Sequence, residues 1–313
     1  MSDVTPELAT DAGLHQPDTL HPDPLRAGAE ASSASPRGAA LRMFVRNKAA
    51  VLGVVMLAGI VVMTLIGPLA YDNDPKDIVA MPLSPPGELA EAPLGTDYLG
   101  RDVLAGVIAG GATSLTVAAT AAAMVVIIGV SIGAVAGYYG GWLDTALMRF
   151  TEFFQVLPAL LFAMVLVALF EPSRWTISFA IGVVAWPGIA RITRAEFLRL
   201  RNLEFVRAAR ALGADDWRIM SRVVFPNALP PLIVSATLIM GTAILFEAGL
   251  AFLGLGDPNS TSWGLMIGLN RSNFLTAWWS VTFPGLAIFA TVLSFSLIGD
   301  GLQDTYNPKL RGR

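Results

Sequence analysis

Long apolar runs are the feature that most restricts what this chain can fold into. A helix needs about 20 consecutive apolar residues to cross the hydrocarbon layer of a membrane. Within that layer no water is available to the backbone, so a run of this length must satisfy its own N–H and C=O groups as a helix. Six such runs lie at 48–70, 104–137, 143–170, 175–192, 228–253 and 282–303. The sequence therefore predicts an all-α integral membrane protein with six transmembrane helices.

The composition supports this prediction and excludes several kinds of site. Hydrophobic residues make up 54% of the 313 positions and charged residues only 14%, unlike the balance of a soluble domain. Cysteine is absent, which excludes a thiolate nucleophile and a Cys-ligated metal site. The two histidines, His15 and His21, lie in the polar N-terminal segment, where solvated side chains are expected. We predict no metal site.

The N-terminal segment differs from the rest of the chain. Residues 1–40 are rich in Ala, Ser, Pro, Asp and Thr and show no apolar periodicity, so they cannot bury enough surface to offset the entropy of ordering. We predict a disordered cytoplasmic tail over 1–40 and a transmembrane domain over 41–313. The first apolar run begins too late for a cleaved signal peptide, and the basic residues Arg42, Arg46 and Lys48 before it indicate an uncleaved first span.

Lys and Arg residues are distributed unevenly between the two sides. Of the 21 basic residues, 17 lie in segments on the same side as the termini, and only four lie on the other side. By the positive-inside rule, both termini and the segment at about 193–226 are cytoplasmic. Burying the eight arginines between 191 and 222 in lipid would cost about 2.5 kcal/mol each, roughly 20 kcal/mol in total, so this segment is not a seventh span.

Two local patterns inside the apolar runs have structural consequences. Gly129, Gly133 and Gly137 recur at four-residue spacing, which lines one helix face with small residues and predicts close packing against a neighbouring helix. Pro187, in the string Trp186-Pro187-Gly188, interrupts the fourth run. Because proline lacks an N–H and its ring clashes with the preceding turn, it predicts a kink there.

The cytoplasmic segment 193–226 has a helical pattern of its own. Gly213 is placed to end a first helix that starts near Glu196, and Asp215 to cap a second, short helix that Pro226 closes. We considered two interpretations: a loop that only connects spans, and an element that docks on a soluble partner. The aromatic Trp217 favours docking. Apolar residues of the first helix recur at three-residue spacing, at Phe197, Leu200, Leu203 and Val206.

The residues of this segment resemble a known motif. Arg207-Ala208-Ala209, three residues, Gly213, nine residues and Val223-Val224-Phe225-Pro226 resemble the EAA loop of ABC importer permeases, whose pattern is E-A-A-x3-G-x9-I-x-L-P. The first position departs from the pattern, with Arg207 where glutamate is common. The resemblance implies contact with a cytoplasmic ATPase through Arg207, Ala208, Ala209, Gly213, Ala214, Asp215, Asp216, Trp217 and Pro226.

Four further strings are similar to the second permease subunit of dipeptide, oligopeptide and nickel ABC importers. They are PLGTDYLGRDVL at 93–104, WPGIAR at 186–191, EAGLAFLGLG at 247–256 and LSFSLIGDGLQD at 293–304. The resemblance covers about 41–313. It implies the type I ABC importer permease (MetI-like) fold, a place in the bacterial inner membrane, and import of short peptides. The implied partners are a homologous permease subunit, two ATPase subunits that hold ATP and Mg, and an extracytoplasmic substrate-binding protein; no cofactor is expected on this chain.

Several acidic residues and one loop leave alternatives open. Glu247 lies within the fifth apolar run, where a carboxylate indicates function; we weigh a structural or gating role against direct substrate contact. Trp186 and Pro187 are further candidates for gating or for lining the pathway. Asp144 and Glu152 are expected to be solvated or paired with Arg149. By family analogy the loop 71–102 receives the substrate-binding protein; the alternative is a spacer or cap over the pore.

No sequence pattern supports catalysis or nucleic-acid binding. The chain has no glycine-rich phosphate loop with a following lysine and no HExxH motif, so we predict that it is not an enzyme and that ATP is hydrolysed on partner subunits. Its arginines are explained by membrane topology. The alternative class is a self-sufficient secondary transporter or channel that uses Glu247 and Glu152 as relay groups.

Overall fold

The computed structural model describes residues 42–306. The chain divides into two units, Met1–Arg42 and Met43–Arg313, and the bundle of helices belongs to the second. The predicted tail, 1–40, lies outside the described residues. Every regular element within 43–306 is helical, apart from three isolated bridges in the loop 71–102. The helices are α1 (Lys48–Ala70), α2 (Val103–Tyr139), α3 (Gly141–Val156), α4 (Ala159–Leu169), α5 (Arg174–Leu200), α6 (Glu204–Ala211), α7 (Asp216–Leu255), α8 (Trp263–Asn270) and α9 (Trp279–Tyr306).

Each predicted apolar run falls on a helix, but the third run is not one straight helix. By length and composition, five helices can cross a membrane: α1, α2, α5, α7 and α9; α3 and α4 together make a sixth if a bent pair counts as one span. The prediction of a continuous helix over 143–170 is wrong, because α3 and α4 meet at a bend of 85°. Pro158 causes the break: it excludes the α conformation at Leu157, whose backbone is extended (φ −71°, ψ 130°).

The helix that contains the fourth apolar run is longer than predicted. The predicted span ends at residue 192, whereas α5 continues as one helix through Pro187 to Leu200. Proline removes one backbone hydrogen bond, and helix packing offsets that loss. The part of α5 that follows Pro187 packs along its length against α2. Among the described residues, α2 and α5 form the most extensive helix pair.

The glycine stripe of α2 is the basis of this pairing, as the sequence predicted. A β-carbon added at Gly129 would lie 2.8 Å from the Ile189 β-carbon, and one added at Gly137 would lie 2.6 Å from the Arg194 carbonyl oxygen. At Gly133 an added β-carbon would overlap the Ala190 carbonyl. These separations are shorter than carbon and oxygen atoms tolerate, so only glycine permits the backbones of α2 and α5 to approach this closely.

The remaining spans pack around this pair and face lipid on their outer surfaces. α1 lies against α9, where a β-carbon at Gly53 would come within 2.9 Å of the Ser294 carbonyl oxygen. The opposite surface of α1 exposes large aliphatic side chains, among them Val55, Leu65 and Leu69. Exposed apolar surface of this extent is stable where lipid tails, rather than water, are the solvent.

The loop 71–102 is an ordered cap at one end of the bundle. Trp279 Nε1 of α9 donates to the Thr96 carbonyl at 3.0 Å, and the Tyr98 N–H donates to Asn270 Oδ1 of α8 at 3.1 Å. At its base the Tyr71 hydroxyl donates to the Asp102 carboxylate at 2.5 Å. Burial, with this hydrogen bond adding to it, raises the pKa of Tyr71 to about 12. The neutral phenol therefore supports the cap below pH 10, and that support is lost only as the pH rises towards 12.

We expect Gly133→Ala to destabilise the protein, because the new methyl group would force apart the backbones of α2 and α5. Overpacking of this kind costs about 1–3 kcal/mol. Gly59→Ala in α1 is the matched control, since a β-carbon there meets open space. The measurement is the thermal unfolding midpoint of each variant purified in detergent. Equal midpoints for the two variants would contradict the role assigned to the stripe.

Candidate functional site

The turn between α6 and α7 lies at the centre of the predicted docking segment. Gly213 has φ +81°, as its predicted place just past a helix end requires. The Gly213 N–H donates to the Arg210 carbonyl at 3.0 Å, and the Ala214 N–H donates to the Ala209 carbonyl at 3.2 Å. This is the Schellman arrangement of a helix end, with glycine at the position of positive φ. It gives a structural reason for the glycine at this position of the sequence.

The start of α7 is capped as predicted, but its predicted end is wrong. The Asp215 side chain accepts a hydrogen bond from the Arg218 N–H. The helix then continues past Pro226 into the fifth span, whereas the sequence predicted a stop there. The turn before the proline is wound as a π-helix over Ile219–Val224, in which the Phe225 N–H donates to the Met220 carbonyl. Pro226 thus stands in the first turn of a new α-helical segment, where its missing N–H costs little.

The first helix of the segment is also interrupted where the sequence predicted continuity. α5 ends at Leu200 and α6 begins at Glu204. In the break, the Asn202 side chain donates to the Leu198 carbonyl at 3.0 Å, which satisfies one of the free carbonyls at the end of α5. Arg201 turns away to α2. Leu203 is exposed because it lies in this break, whereas Val206 of α6 is buried.

A cluster of apolar side chains holds the segment against the membrane helices. We call it the inner cluster. The turn is therefore part of one packed body that joins four helices, and a force applied to it reaches the spans without a flexible linker. The buried members are Ala134 and Tyr138 of α2, Phe197 and Leu200 of α5, Val206 of α6, and Ile219, Met220, Val224, Ala228 and Leu232 of α7.

The opposite face of the segment is exposed and partly apolar. Trp217 is 68% exposed and Leu212 is 88% exposed, on either side of the Gly213 turn. The docking role of this face remains a prediction. The exposure of the predicted site residues varies: Arg207, Ala208, Gly213, Asp215, Asp216, Trp217 and Pro226 are exposed, and Ala209 and Ala214 are half-buried. Their contact with an ATPase remains a prediction.

A polar network beside the turn was not found from the sequence. The Tyr138 hydroxyl of α2 donates to Asp216 Oδ1 at 2.7 Å, and Arg210 Nη2 donates to the Tyr138 oxygen at 3.3 Å. Arg201 Nη1 donates to the Gly137 and Tyr138 carbonyls at 3.1 and 3.0 Å. These residues border a cavity of about 730 Å³. Tyr138 is separated from Asp216 by 78 positions, so no local sequence pattern reveals the pair.

An ion pair joins α3 to the C-terminal part of α5. Asp144 accepts two hydrogen bonds from the Arg194 guanidinium, at 2.5 and 2.7 Å. The expectation that Asp144 is solvated or paired with Arg149 was wrong, since Asp144 is largely buried on the face of α3 that meets α5. The pairing of Glu152 with Arg149 is confirmed, at 2.9 Å on the exposed surface. Of the two pairs, only Asp144 with Arg194 connects α3 to another helix.

Glu247 is buried where α2, α7 and α8 meet. Its side chain accepts a hydrogen bond from the Ser114 hydroxyl at 3.1 Å, and the same hydroxyl accepts one from the Trp263 N–H at 3.3 Å. Glu247 is only 2% exposed and does not border any described cavity. The position favours a structural or gating role over direct substrate contact. That role remains a prediction.

Trp186 and Pro187 are also buried. Trp186 packs against the rings of Phe150 and Phe154 of α3, with ring centroids at 5.9 and 5.4 Å. A cavity of about 710 Å³ opens between α3 and α5 beside the next residue, Gly188, and its lining carries both signs of charge. Trp186 and Pro187 themselves do not line this cavity, and their role in gating or in lining the pathway remains a prediction.

Comparison with known proteins places the chain in a family. A family model described as the binding-protein-dependent transport system inner membrane component matches residues 129–312, more than half of the chain. The chain belongs to this family. A second model, the N-terminal transmembrane domain of oligopeptide transport permease C, matches residues 35–86. The protein is thus a multi-pass transport permease and not a catalytic enzyme.

Individual relatives cover most of the permease. It is 36% identical over 286 residues to the dipeptide transport system permease protein DppC of Alkalihalophilus pseudofirmus, covering 90% of this chain and 92% of the relative. It is 39% identical to DppC of Bacillus subtilis, over 87% and 85% of the two chains. A putative peptide permease of Brucella suis is 37% identical over 89% of this chain and 93% of its own.

A solved structure shares the fold. The MetNI methionine ABC transporter, in an inward-facing conformation, matches 64% of this chain and 96% of the matched chain, with a TM-score of 0.51 and 18% identity. The predicted MetI-like fold is confirmed. Membership of a binding-protein-dependent family also favours an ABC importer permease over a self-sufficient secondary transporter.

We expect Asp144→Asn to destabilise the permease by about 1–2 kcal/mol, because it removes a charge-assisted pair whose carboxylate is only 14% exposed. Glu152→Gln is the control: it breaks an ion pair in the same helix that is largely exposed and contributes little. Thermal unfolding midpoints in detergent compare the two. A larger loss of stability in the control would refute the assignment.

Proposed function

We propose that this permease forms half of the transmembrane pathway of an ABC importer for dipeptides and oligopeptides. Support for the substrate class comes from the relatives, whose names are those of dipeptide and peptide permeases. The match to the N-terminal domain of oligopeptide transport permease C supports the same class. The observation that carries the proposal is the exposed, rigidly packed turn at Gly213 on a membrane permease that has no nucleotide-binding loop of its own.

The proposed assembly contains several partners. A homologous permease completes the pathway as a heterodimer, two cytoplasmic ATPase subunits bind ATP and Mg, and a substrate-binding protein delivers peptide at the outer face. The family description supports the need for a binding protein. Both termini face the cytoplasm in this arrangement, which the distribution of Lys and Arg supports.

The exposed face of the coupling segment, 193–226, is the proposed contact with an ATPase subunit. Leu212 and Trp217 present apolar surface on either side of the turn, and Arg207 and Asp216 supply charges around them. An apolar centre with a polar rim is the usual composition of a protein interface. Because the inner cluster joins this segment to α2, α5 and α7, movement of the ATPase would rotate those helices together.

Reconstitution in vesicles tests the proposal. The purified permease alone should import no peptide, with or without a proton gradient, whereas the complete assembly should import members of a panel of di- to pentapeptides when ATP is supplied. The physical reason is that this chain carries no site that could hydrolyse ATP. Uptake driven by a proton gradient through the single subunit would overturn the proposal.

Single-cysteine variants test the docking face and its orientation, since the chain has no cysteine of its own. In cells, Trp217→Cys should crosslink to an ATPase subunit and react with thiol reagents only from the cytoplasm. Trp175→Cys, at the opposite end of α5 and 60% exposed, is the control and should react only from outside. Labelling of Trp217→Cys from outside would contradict both the topology and the docking role.

A further inference from the structure

The cytoplasmic end of α2 is distant in sequence from the coupling segment, yet side chains connect it to that segment. α5 leads into α6 and α7 leads out of the turn, so both are attached by the chain itself. α2 ends at Tyr139, before Gly140, far away in sequence. Its link to the turn is made by side chains: the inner cluster on the apolar side, and the Tyr138, Asp216 and Arg210 network on the polar side.

The polar network holds this helix end in one orientation. Arg201 Nη1 donates to two of the last carbonyls of α2, at Gly137 and Tyr138, which both satisfies them and places a cation at the negative end of the helix dipole. The Tyr138 hydroxyl then extends from the same turn of α2 to Asp216, the first residue of α7. Arg210 lies 3.7 Å from Asp216 and closes the triangle.

We propose that Tyr138 is a positioning residue that transmits movement of the coupling segment to α2. The inference rests on the proposed function, because it needs an ATPase that moves this segment. When Asp216 shifts with the docked turn, the Tyr138 hydroxyl pulls the end of α2 with it. α2 transmits the displacement to α5 at the glycine stripe. There the two backbones are in direct contact, and no side chain between them can change its conformation to absorb the movement.

The neighbouring tyrosine supplies a matched comparison. The ring of Tyr138 is 5% exposed and packs in the inner cluster, so phenylalanine would keep the packing and remove only the hydroxyl. Tyr139 is 51% exposed, and none of the hydrogen bonds of the described residues involves its hydroxyl. Its ring packs edge-on against Tyr138 with centroids 5.2 Å apart, which phenylalanine would also preserve.

The experiment measures coupling rather than folding. The complete assembly is reconstituted in vesicles with wild-type permease, Tyr138→Phe, Tyr139→Phe, Asp216→Ala, or the Tyr138→Phe, Asp216→Ala double variant. The readout is the number of peptides imported per ATP hydrolysed, using a peptide from the panel that the wild-type assembly imports. Size-exclusion chromatography and the thermal midpoint report folding in parallel.

We expect Tyr138→Phe to lower the ratio of import to hydrolysis about tenfold, the population shift that loss of one charge-assisted hydrogen bond permits. Tyr139→Phe should match the wild type. The ratio of import to hydrolysis in the double variant should not fall below that of Asp216→Ala, because both substitutions remove the same hydrogen bond. The number of ATP molecules hydrolysed per second should change far less than import.

Two results would overturn the inference. One is an unchanged ratio in Tyr138→Phe, even if its thermal midpoint falls, since that pattern marks a purely structural hydrogen bond. The other is a ratio in the double variant well below that of either single variant, because independent effects would then add. A wild-type assembly that hydrolyses ATP but imports no peptide would refute the proposed function itself, and the inference with it.

Discussion

The contact between the backbones of α2 and α5 is the constraint on which the rest of the structure depends. Lipid tails are as apolar as leucine, so no hydrophobic force drives helices together inside a membrane, and close packing must supply the attraction. Glycine at 129, 133 and 137 lets the two helices meet over about two turns. The same contact supports α5 on both sides of Pro187 and fixes the C-terminal end of α2, against which the segment 193–226 packs.

The segment 193–226 packs against this helix pair as an extension of it. Phe197 and Leu200 belong to the last turns of α5, and Tyr138 belongs to the last turn of α2. All three are buried in the inner cluster with residues of α7. The π-helical turn before Pro226 makes α7 one helical run from the exposed turn into the membrane. A partner that grips the turn thus acts directly on three spans.

Several hydroxyl groups inside the spans form hydrogen bonds within their own helix. The hydroxyls of Thr116, Ser131 and Ser294 each donate to the carbonyl four residues earlier, which removes the cost of leaving them unpaired in an apolar environment. Glu247 differs, because its partner Ser114 lies on another helix. The Trp263 N–H of α8 donates to the same Ser114 hydroxyl, so these two hydrogen bonds connect α2, α7 and α8.

The sequence alone determined the helical class, the number of apolar runs, the glycine stripe, the turn at Gly213 and the cap at Asp215. These follow from composition, from spacing along one helix, or from the backbone conformation of one residue, all of which are local properties. The structure decided the rest: α5 continues past residue 192 to Leu200 along α2, and α7 continues past Pro226 because a π-helical turn precedes it. The partner of Asp144 is Arg194, and that of Tyr138 is Asp216, because helices distant in sequence place them together. Such pairs depend on the direction of each side chain in the assembled bundle, which residue order does not specify.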